Sequence, residues 1–382
     1  MKCPNPKCTC DLVLDNSIKE WKCPTCHFHT RIPIPGLEKD IQKLQHPSPQ
    51  IIKYLQGQFE KWQQLNPQPT PLPVEDGETP YTSSSGNNLY KLGWGREHPG
   101  HIVYLIDLSE SMGYNDGRNI KDVMEVVFNC MYYFVGVCTT KAGLVPRLTA
   151  SVIGYNSKII PLLKHGSIEE IEELISIDPE KETLFDISET GDACPRWQTM
   201  TAEAFDAARQ DVEEWMAEHK NTPMPAPYVI HITDGHPEQT DPATGKPIAE
   251  GDLMDRALKA AEKLKGLHTE DGNLLLFNVH YNTNGQDDLN HELITPAQRP
   301  TGSTVFDKRR QFLYDASSEL PAAIIDSIQS FYKRETNHIL KTNVRKGSRA
   351  LISNTRNKSL LSDFVVFSSK SALAKTNSIS GK

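Results

Sequence analysis

HIVYLIDLSES, residues 101–111, joins an apolar run of strand length to a polar segment that holds one aspartate and two serines. Because residues 101–106 are almost entirely apolar rather than alternating, they predict a strand that is buried on both faces. Asp107 stands where this strand ends, and Ser109 and Ser111 follow at two-residue spacing. One carboxylate and two hydroxyls are therefore expected to leave the end of a core strand together.

Beyond this strand, segments of strand and helix character alternate along the chain. The apolar spacing predicts further strands at 147–155, 157–163, 228–232 and 274–281, and helices at 119–137, 201–219, 252–265, 309–320 and 321–334. Such alternation predicts an α/β fold with a doubly wound, mainly parallel sheet covered by helices on both faces. In sheets of this kind ligands bind at the carboxyl ends of the strands, near the point where the strand order reverses.

Composition excludes several classes of protein. The 382 residues carry a net charge of −8, and no apolar run approaches the roughly 18 residues that cross a bilayer. The first residues, MKCPNPKCTC, lack the apolar core of a signal peptide, so a cytoplasmic location and no membrane contact are expected. A net acidic chain is also a poor general binder of nucleic acid.

Cysteines are concentrated at the start of the chain. Cys3, Cys8, Cys23 and Cys26 form a C-x4-C pair and a C-x2-C pair on either side of a short hairpin. Four thiolates so arranged can reach the corners of a tetrahedron, which is the geometry of a structural Zn²⁺ site. This spacing resembles a zinc ribbon, with Cys10 as the alternative to Cys8 in the first pair. A site closed by four sulfurs holds its metal for folding rather than for catalysis.

The composition changes along the chain predict five regions. These are the zinc ribbon (1–33), a short helical segment (34–66), a Pro/Ser/Gly-rich linker (67–97), the α/β domain (98–335) and a basic, Ser-rich tail (336–382) that is expected to be flexible. Charge is segregated as well, because residues 167–190 carry a net charge of −8 and the tail carries +8. Docking of the tail, or of a basic partner segment, on the acidic stretch is one hypothesis, with FVVF (364–367) as an apolar anchor.

Two further positions complete a metal-binding pattern. Thr199 precedes the helix predicted at 201–219, and Asp234 follows the strand predicted at 228–232. In order and placement, D-x-S-x-S, a lone threonine and a strand-end aspartate resemble the metal-ion-dependent adhesion site of von Willebrand factor A (vWA) domains. The resemblance covers roughly residues 98–335.

The resemblance implies that Asp107, Ser109, Ser111, Thr199 and Asp234 hold Mg²⁺ or Mn²⁺. Hard oxygen ligands suit either ion, and Thr201 is the rival to Thr199 as the threonine donor. With mostly neutral ligands the ion stays electrophilic, and a carboxylate from a protein partner is the natural occupant of its open position. Domains of this family bind partners without performing chemistry, and the chain contains no P-loop, nucleophile elbow or H-E-x-x-H motif. Cys130 and Cys138, on the helix at 119–137 or at its end, are expected in the core.

A zinc ribbon joined to a vWA domain is similar to the tellurite-resistance-type vWA proteins of bacteria. That resemblance implies a non-enzymatic adaptor in a stress-response or anti-phage system, together with a serine/threonine kinase and a metal-dependent phosphatase. The alternative is a nucleic-acid-associated adaptor that binds through the zinc ribbon and the basic tail.

Overall fold

The structure is a computed structural model that describes residues 89–113, 118–140, 143–176, 198–281, 293–331 and 343–355, the single residues 361 and 364, and three short strands near the start. The chain divides into two compact units, Met1–Ser84 and Ser85–Lys382. In the first unit, the strands β1 (Val13–Asp15), β2 (Glu20–Lys22) and β3 (His29–Thr30) form an antiparallel sheet in that order. The ligands predicted for zinc, Cys3, Cys8, Cys23 and Cys26, lie outside the described residues, as do Cys10 and the helical segment predicted at 34–66.

A seven-stranded sheet forms the centre of the second unit. Its strands are β4 (Gly100–Asp107), β7 (Leu148–Tyr155), β8 (Ile159–Ser167), β9 (Tyr228–Thr233), β12 (Leu275–Tyr281), β13 (Leu293–Ile294) and β14 (Leu351–Thr355). Two small hairpins lie beside it, β5 (Thr139–Thr140) with β6 (Gly143–Leu144) and β10 (His268–Thr269) with β11 (Gly272–Asn273). The sheet order is β13-β14-β12-β9-β4-β7-β8, and the five inner strands are parallel. The edge strands β13 and β8 are antiparallel to their neighbours.

Helices cover both faces of this sheet. The helices are α1 (Glu110–Gly113), α2 (Arg118–Cys138), α3 (Ile168–Ser176), α4 (Thr201–Glu218), α5 (Glu250–Lys265), α6 (Val305–Ala316) and α7 (Ala322–Phe331). One core cluster joins the sheet to α2, α3 and α7, and the other joins it to α4, α5 and α6. The predicted α/β class with a mainly parallel, doubly wound sheet is confirmed. None of the helices in the described part of the chain is long and apolar enough to cross a membrane.

Strand β4 lies at the centre of both cores. Ile102, Tyr104 and Ile106 belong to one cluster, whereas Val103 and Leu105 belong to the other. Successive side chains of a strand point to opposite faces, so a strand covered on both faces must be apolar at both parities. This burial fixes the strand along its whole length and thereby fixes the position of Asp107 at its end.

The structure corrects the predicted start of the domain. Trp94, placed by the sequence in the linker 67–97, is 1% exposed and packs against Tyr228 at 5.3 Å between ring centroids. The backbone N–H groups of Lys91 and Leu92 donate to the Asp271 carboxylate, both at 2.8 Å. Residues from about 89 onward therefore belong to the α/β domain, because one indole ring and two hydrogen bonds attach them to it.

The end of the domain is corrected as well. The tail predicted to be flexible, 336–382, contains β14, which pairs in parallel with β12 inside the sheet. Leu361 and Phe364 are also buried, and the Phe364 ring lies 5.7 Å from that of Phe277. Phe364, the first residue of FVVF, is thus part of the domain's own core. Strand β14 belongs to the domain because it pairs along an edge that β12 would otherwise leave open.

Candidate metal centre

Four of the five predicted magnesium ligands, Asp107, Ser109, Ser111 and Asp234, meet at the switch point of the sheet. Strands β4 and β9 are adjacent and parallel, and the chain leaves β4 toward β7 on one side and β9 toward β12 on the other. The crevice between the ends of two such strands is where open α/β sheets bind ligands. Asp107 ends β4, and Asp234 follows β9 directly. The fold therefore brings together two carboxylates that are 127 positions apart in the sequence.

Asp107 is held in a fixed orientation. Its side chain is fully buried, and Oδ1 accepts a hydrogen bond from the backbone N–H of Ser109 at 2.9 Å. Oδ2 accepts from the hydroxyl of Thr233 at 2.7 Å. Thr233 in turn accepts the backbone N–H of Gly235 at 2.9 Å. Both oxygens of the carboxylate are thus positioned by the loop after β4 and by the end of β9.

The two serines connect Asp107 to Asp234. The hydroxyl oxygens of Ser109 and Ser111 lie 3.0 Å apart, and the Ser111 hydroxyl hydrogen bonds to Asp234. The backbone N–H of His236 donates to Oδ1 of Asp234 at 3.2 Å. Because side chains at i and i+2 of this loop point the same way, two hydroxyls and two carboxylates surround one point at the sheet edge.

Electrostatics at this point favours a cation. Burial, together with the nearby charge of Asp234, raises the pKa of Asp107 to about 7, although hydrogen bonds from Ser109 and Thr233 oppose the shift. Burial also raises the pKa of Asp234, against the hydrogen bond from Ser111. Two carboxylates that share a buried site cannot both ionise at low cost unless a positive charge lies between them. The donor set, hard oxygens only, fits Mg²⁺ or Mn²⁺.

The two candidate threonines have different surroundings. Thr199 and Thr201 are both buried, at 2% and 4% exposure. The Thr201 hydroxyl hydrogen bonds to Tyr155, whose own hydroxyl lies 2.6 Å from Nε2 of His231. No hydrogen bond joins the Thr199 hydroxyl to any side chain in the described part of the chain, and a backbone bridge to Glu238 holds its main chain. Thr199 is therefore the threonine without a side-chain partner among the described residues, but no described contact joins its hydroxyl to Asp107 or Asp234, and its choice over Thr201 stays a prediction.

Sequence reasoning missed two residues that build this centre. Thr233 looks like an ordinary strand residue because it belongs to an apolar β-branched run, yet it orients Asp107. Tyr155 ends β7 and links Thr201 to His231, and burial raises its pKa well above the usual value. The only sequence signal for either residue is that each stands at the carboxyl end of a parallel strand. Cys130 and Cys138, predicted in the core, are confirmed there as buried free thiols.

Comparison with known proteins gives structural likenesses only. No protein-family model and no curated protein sequence matches the chain. Proximal thread matrix protein 1 from the mussel byssus is 14% identical, with a TM-score of 0.38 over 72% of this chain and 48% of that one. The vWF domain of the type V pili tip protein Mfa5 from Porphyromonas gingivalis is 10% identical, with a TM-score of 0.40 over 75% of this chain and 98% of that one. Manganese-loaded TRAP protein from Plasmodium vivax is 18% identical, with a TM-score of 0.27 over 48% and 57% of the two chains.

These likenesses cover proteins of different lengths. This chain spans about half of the mussel protein, and a further structure of that protein holds zinc in a MIDAS motif, a metal-ion-dependent adhesion site. The order of the strands in this chain and their parallel pairing show its α/β fold.

Proposed function

We propose that the α/β domain is a vWA-type module that binds a protein partner through a divalent cation. The observation that carries the proposal is the meeting of Asp107 and Asp234 with the hydroxyls of Ser109 and Ser111 at the switch point of the sheet. A buried pair of carboxylates is unfavourable by itself and becomes favourable around a cation. Thr199 would supply a fifth oxygen from a separate loop.

The proposed role is capture rather than chemistry. Mg²⁺ or Mn²⁺ takes six oxygen ligands, and these residues supply at most two charges. These two carboxylates no more than balance the charge of the ion, and the residues named leave a coordination position open, so a carboxylate from a partner protein would complete its coordination. This inference makes the chain a non-enzymatic adaptor whose partner offers an exposed aspartate or glutamate.

The deciding experiment compares the full chain with two variants. Asp107→Ala removes a proposed ligand, and Asp255→Ala removes an exposed aspartate of α5 as a matched control. Mg²⁺ at about 100 times its Kd should stabilise the wild type and the control by about 2.7 kcal/mol and leave Asp107→Ala unchanged. Partner capture from native lysate should require Mg²⁺, disappear with EDTA and disappear in Asp107→Ala. An unchanged set of captured proteins would refute the adaptor mechanism.

From the resemblance to the tellurite-resistance-type vWA proteins, we also propose that Cys3, Cys8, Cys23 and Cys26 hold zinc. The same resemblance leads us to propose that the chain associates with a serine/threonine kinase and a metal-dependent phosphatase. If such a kinase acts on the serines of 336–382, Ser348 and Ser353 are poor substrates in the folded chain, because both are fully buried. Phosphate mapping after incubation with the kinase would therefore find modified serines only beyond the sheet strand β14.

A further inference from the structure

A second cluster of metal-ligating side chains lies at the opposite end of the sheet. His101 is near the start of β4, His165 near the end of the edge strand β8, and Asp211 in the middle of α4. His101 and Asp107 are six residues apart on one strand, which at about 3.3 Å per residue places the two clusters about 20 Å apart. The second cluster therefore cannot share an ion with the first.

The ligand atoms of this cluster converge. Nε2 of His101 lies 2.9 Å from Oδ2 of Asp211, and Nε2 of His165 lies 3.5 Å from Oδ1 of Asp211. One ligand atom from each of the three residues can be chosen so that all lie within 4.8 Å of one another. Zn–N and Zn–O bonds of about 2.0–2.2 Å give a ligand spacing of about 3.3–3.6 Å in a tetrahedron. The 3.5 Å separation between His165 and Asp211 lies within this range, whereas the 2.9 Å between His101 and Asp211 is a direct hydrogen bond that an ion would have to lengthen.

The remaining polar atoms of the three residues are already oriented. Nδ1 of His101 lies 2.9 Å from the hydroxyl of Thr149, and Nδ1 of His165 lies 3.2 Å from Oε2 of Glu218. Both Nδ1 atoms can thus carry the proton and donate it outward when a metal is bound. Each Nε2, which hydrogen bonds to Asp211 in the metal-free chain, would then offer its lone pair to the ion. Metal-ligating histidines characteristically donate their other N–H to such partners.

Asp211 and His101 are fixed by further contacts. The Ser151 hydroxyl donates to Oδ1 of Asp211 at 3.1 Å, which leaves Oδ2 toward His101. The ring of His101 stacks on that of buried Trp215 at 5.1 Å. These contacts hold two of the three ligands in place before any ion arrives.

His165 is the ligand on the solvent side. Its side chain is 12% exposed, whereas those of His101 and Asp211 are 0% and 7% exposed. Its backbone has φ +46°, a left-handed conformation that is costly for a residue with a Cβ. Without metal, its Nε2 lies 3.0 Å from the backbone oxygen of Asp211 and donates to it when Nε2 carries the proton. Metal binding would replace this proton.

We propose that His101, His165 and Asp211 form a Zn²⁺ site, with Nε2 of each histidine and Oδ2 of Asp211 as ligands and water in the fourth position. Two imidazoles and one carboxylate suit Zn²⁺ better than Mg²⁺. The ion would tie the edge strand β8 to β4 and α4. This site is independent of the cation proposed at Asp107.

The first test is the zinc content of the full chain. After removal of metal with EDTA, reloading and dialysis, the metal content per chain is measured for the wild type, His165→Asn and Asp211→Asn. Asparagine suits position 165 because it tolerates positive φ. Both variants should hold one zinc equivalent fewer than the wild type, whereas His268→Asn, an exposed histidine of β10, should hold the wild-type amount. Folded variants that keep the wild-type zinc content would overturn the proposal.

Two further measurements separate a metal site from a hydrogen-bonded network. Thr149→Val should weaken zinc affinity about 10–100-fold because it removes the partner of Nδ1 of His101; an unchanged affinity would contradict the proposed orientation. If a ligand variant fails to fold, the wild type decides. With its cysteines alkylated, the full chain loaded with Co²⁺ should still show the ligand-field absorption of a four-coordinate ion. Absorption of only six-coordinate Co²⁺ would overturn the proposal.

Discussion

Thr233 connects the sheet to the candidate magnesium centre, and its replacement by valine tests that connection. Valine keeps the shape of the side chain, so the change removes a hydroxyl without opening a cavity. The lost group donates to Oδ2 of Asp107 at 2.7 Å and accepts the N–H of Gly235 at 2.9 Å, in a residue that is 2% exposed. The consequences are therefore electrostatic rather than steric.

Two energies follow from these contacts. A hydrogen bond to a charged group contributes about 1.5–3 kcal/mol, and a buried N–H left without a partner costs about 1–3 kcal/mol. Because the loss of each bond is partly offset by local rearrangement, we expect Thr233→Val to lower the free energy of unfolding by about 2–4 kcal/mol. The looser Asp107 should weaken Mg²⁺ binding about 10–100-fold, as loss of an orienting partner does in other metal sites.

Urea unfolding in EDTA and calorimetric titration with Mg²⁺ measure the two effects separately. Thr233→Ser is the control, because it keeps the hydroxyl and loses one methyl group. It should retain Mg²⁺ affinity and lose only about 0.5–1.5 kcal/mol of stability. Wild-type Mg²⁺ affinity in Thr233→Val would refute the idea that Thr233 orients Asp107. Equal destabilisation by valine and serine would show that packing, and not the hydrogen bonds, carries the loss.

Three other predictions concern the domain as a whole. Gly100→Ala should lower the free energy of unfolding in urea by about 3–5 kcal/mol, the range for loss of a buried indole, because the new Cβ would lie 2.0 Å from the Trp94 ring. Gly136→Ala is the control: it lies in α2, its Cβ would have nothing within 4 Å, and it should be neutral or stabilising. A chain ending at residue 335 should lose cooperative thermal unfolding because it lacks β14, and a wild-type melting temperature would contradict the sheet order. Burial lowers the pKa of His231 to about 4, so its contribution to stability is complete above pH 6.5 and is lost as pH falls toward 4. By pH 5 the wild type should have lost about 2 kcal/mol more than His231→Gln in denaturant titrations, and an equal loss in the two proteins would assign the effect to other groups.

Local sequence signals were sufficient for most of the sheet and for the meeting of Asp107 with Asp234. Strands β4, β9 and β12 are long apolar runs, so their burial on both faces is visible in the sequence. Asp107 and Asp234 follow two of these runs directly, and strand ends meet at one edge of a parallel sheet. The position of the candidate ligands was therefore predictable without knowledge of the strand order.

Features that depend on distant partners were not visible. Strand β14 is short and lies in a serine-rich, basic segment, and its order comes from pairing with β12 and from burial of Leu351 and Ile352. Trp94 looks like part of a polar linker until Gly100 and Tyr228 provide its pocket. The cluster of His101, His165 and Asp211 shows no spacing in the sequence that is typical of a metal site, because its members come from three separate elements.

The place of β14 in the sheet has a consequence for synthesis of the chain. Among the described strands, β13 pairs with β14 alone, and β12 has β9 as its one partner until β14 arrives. A ribosome that adds about 5–20 residues per second needs roughly 3–11 s to pass from the end of β13 to the start of β14. Throughout that interval the nascent chain presents an open edge on β12, which is a template for pairing with other chains. A chaperone that covers this edge during synthesis would reduce such pairing.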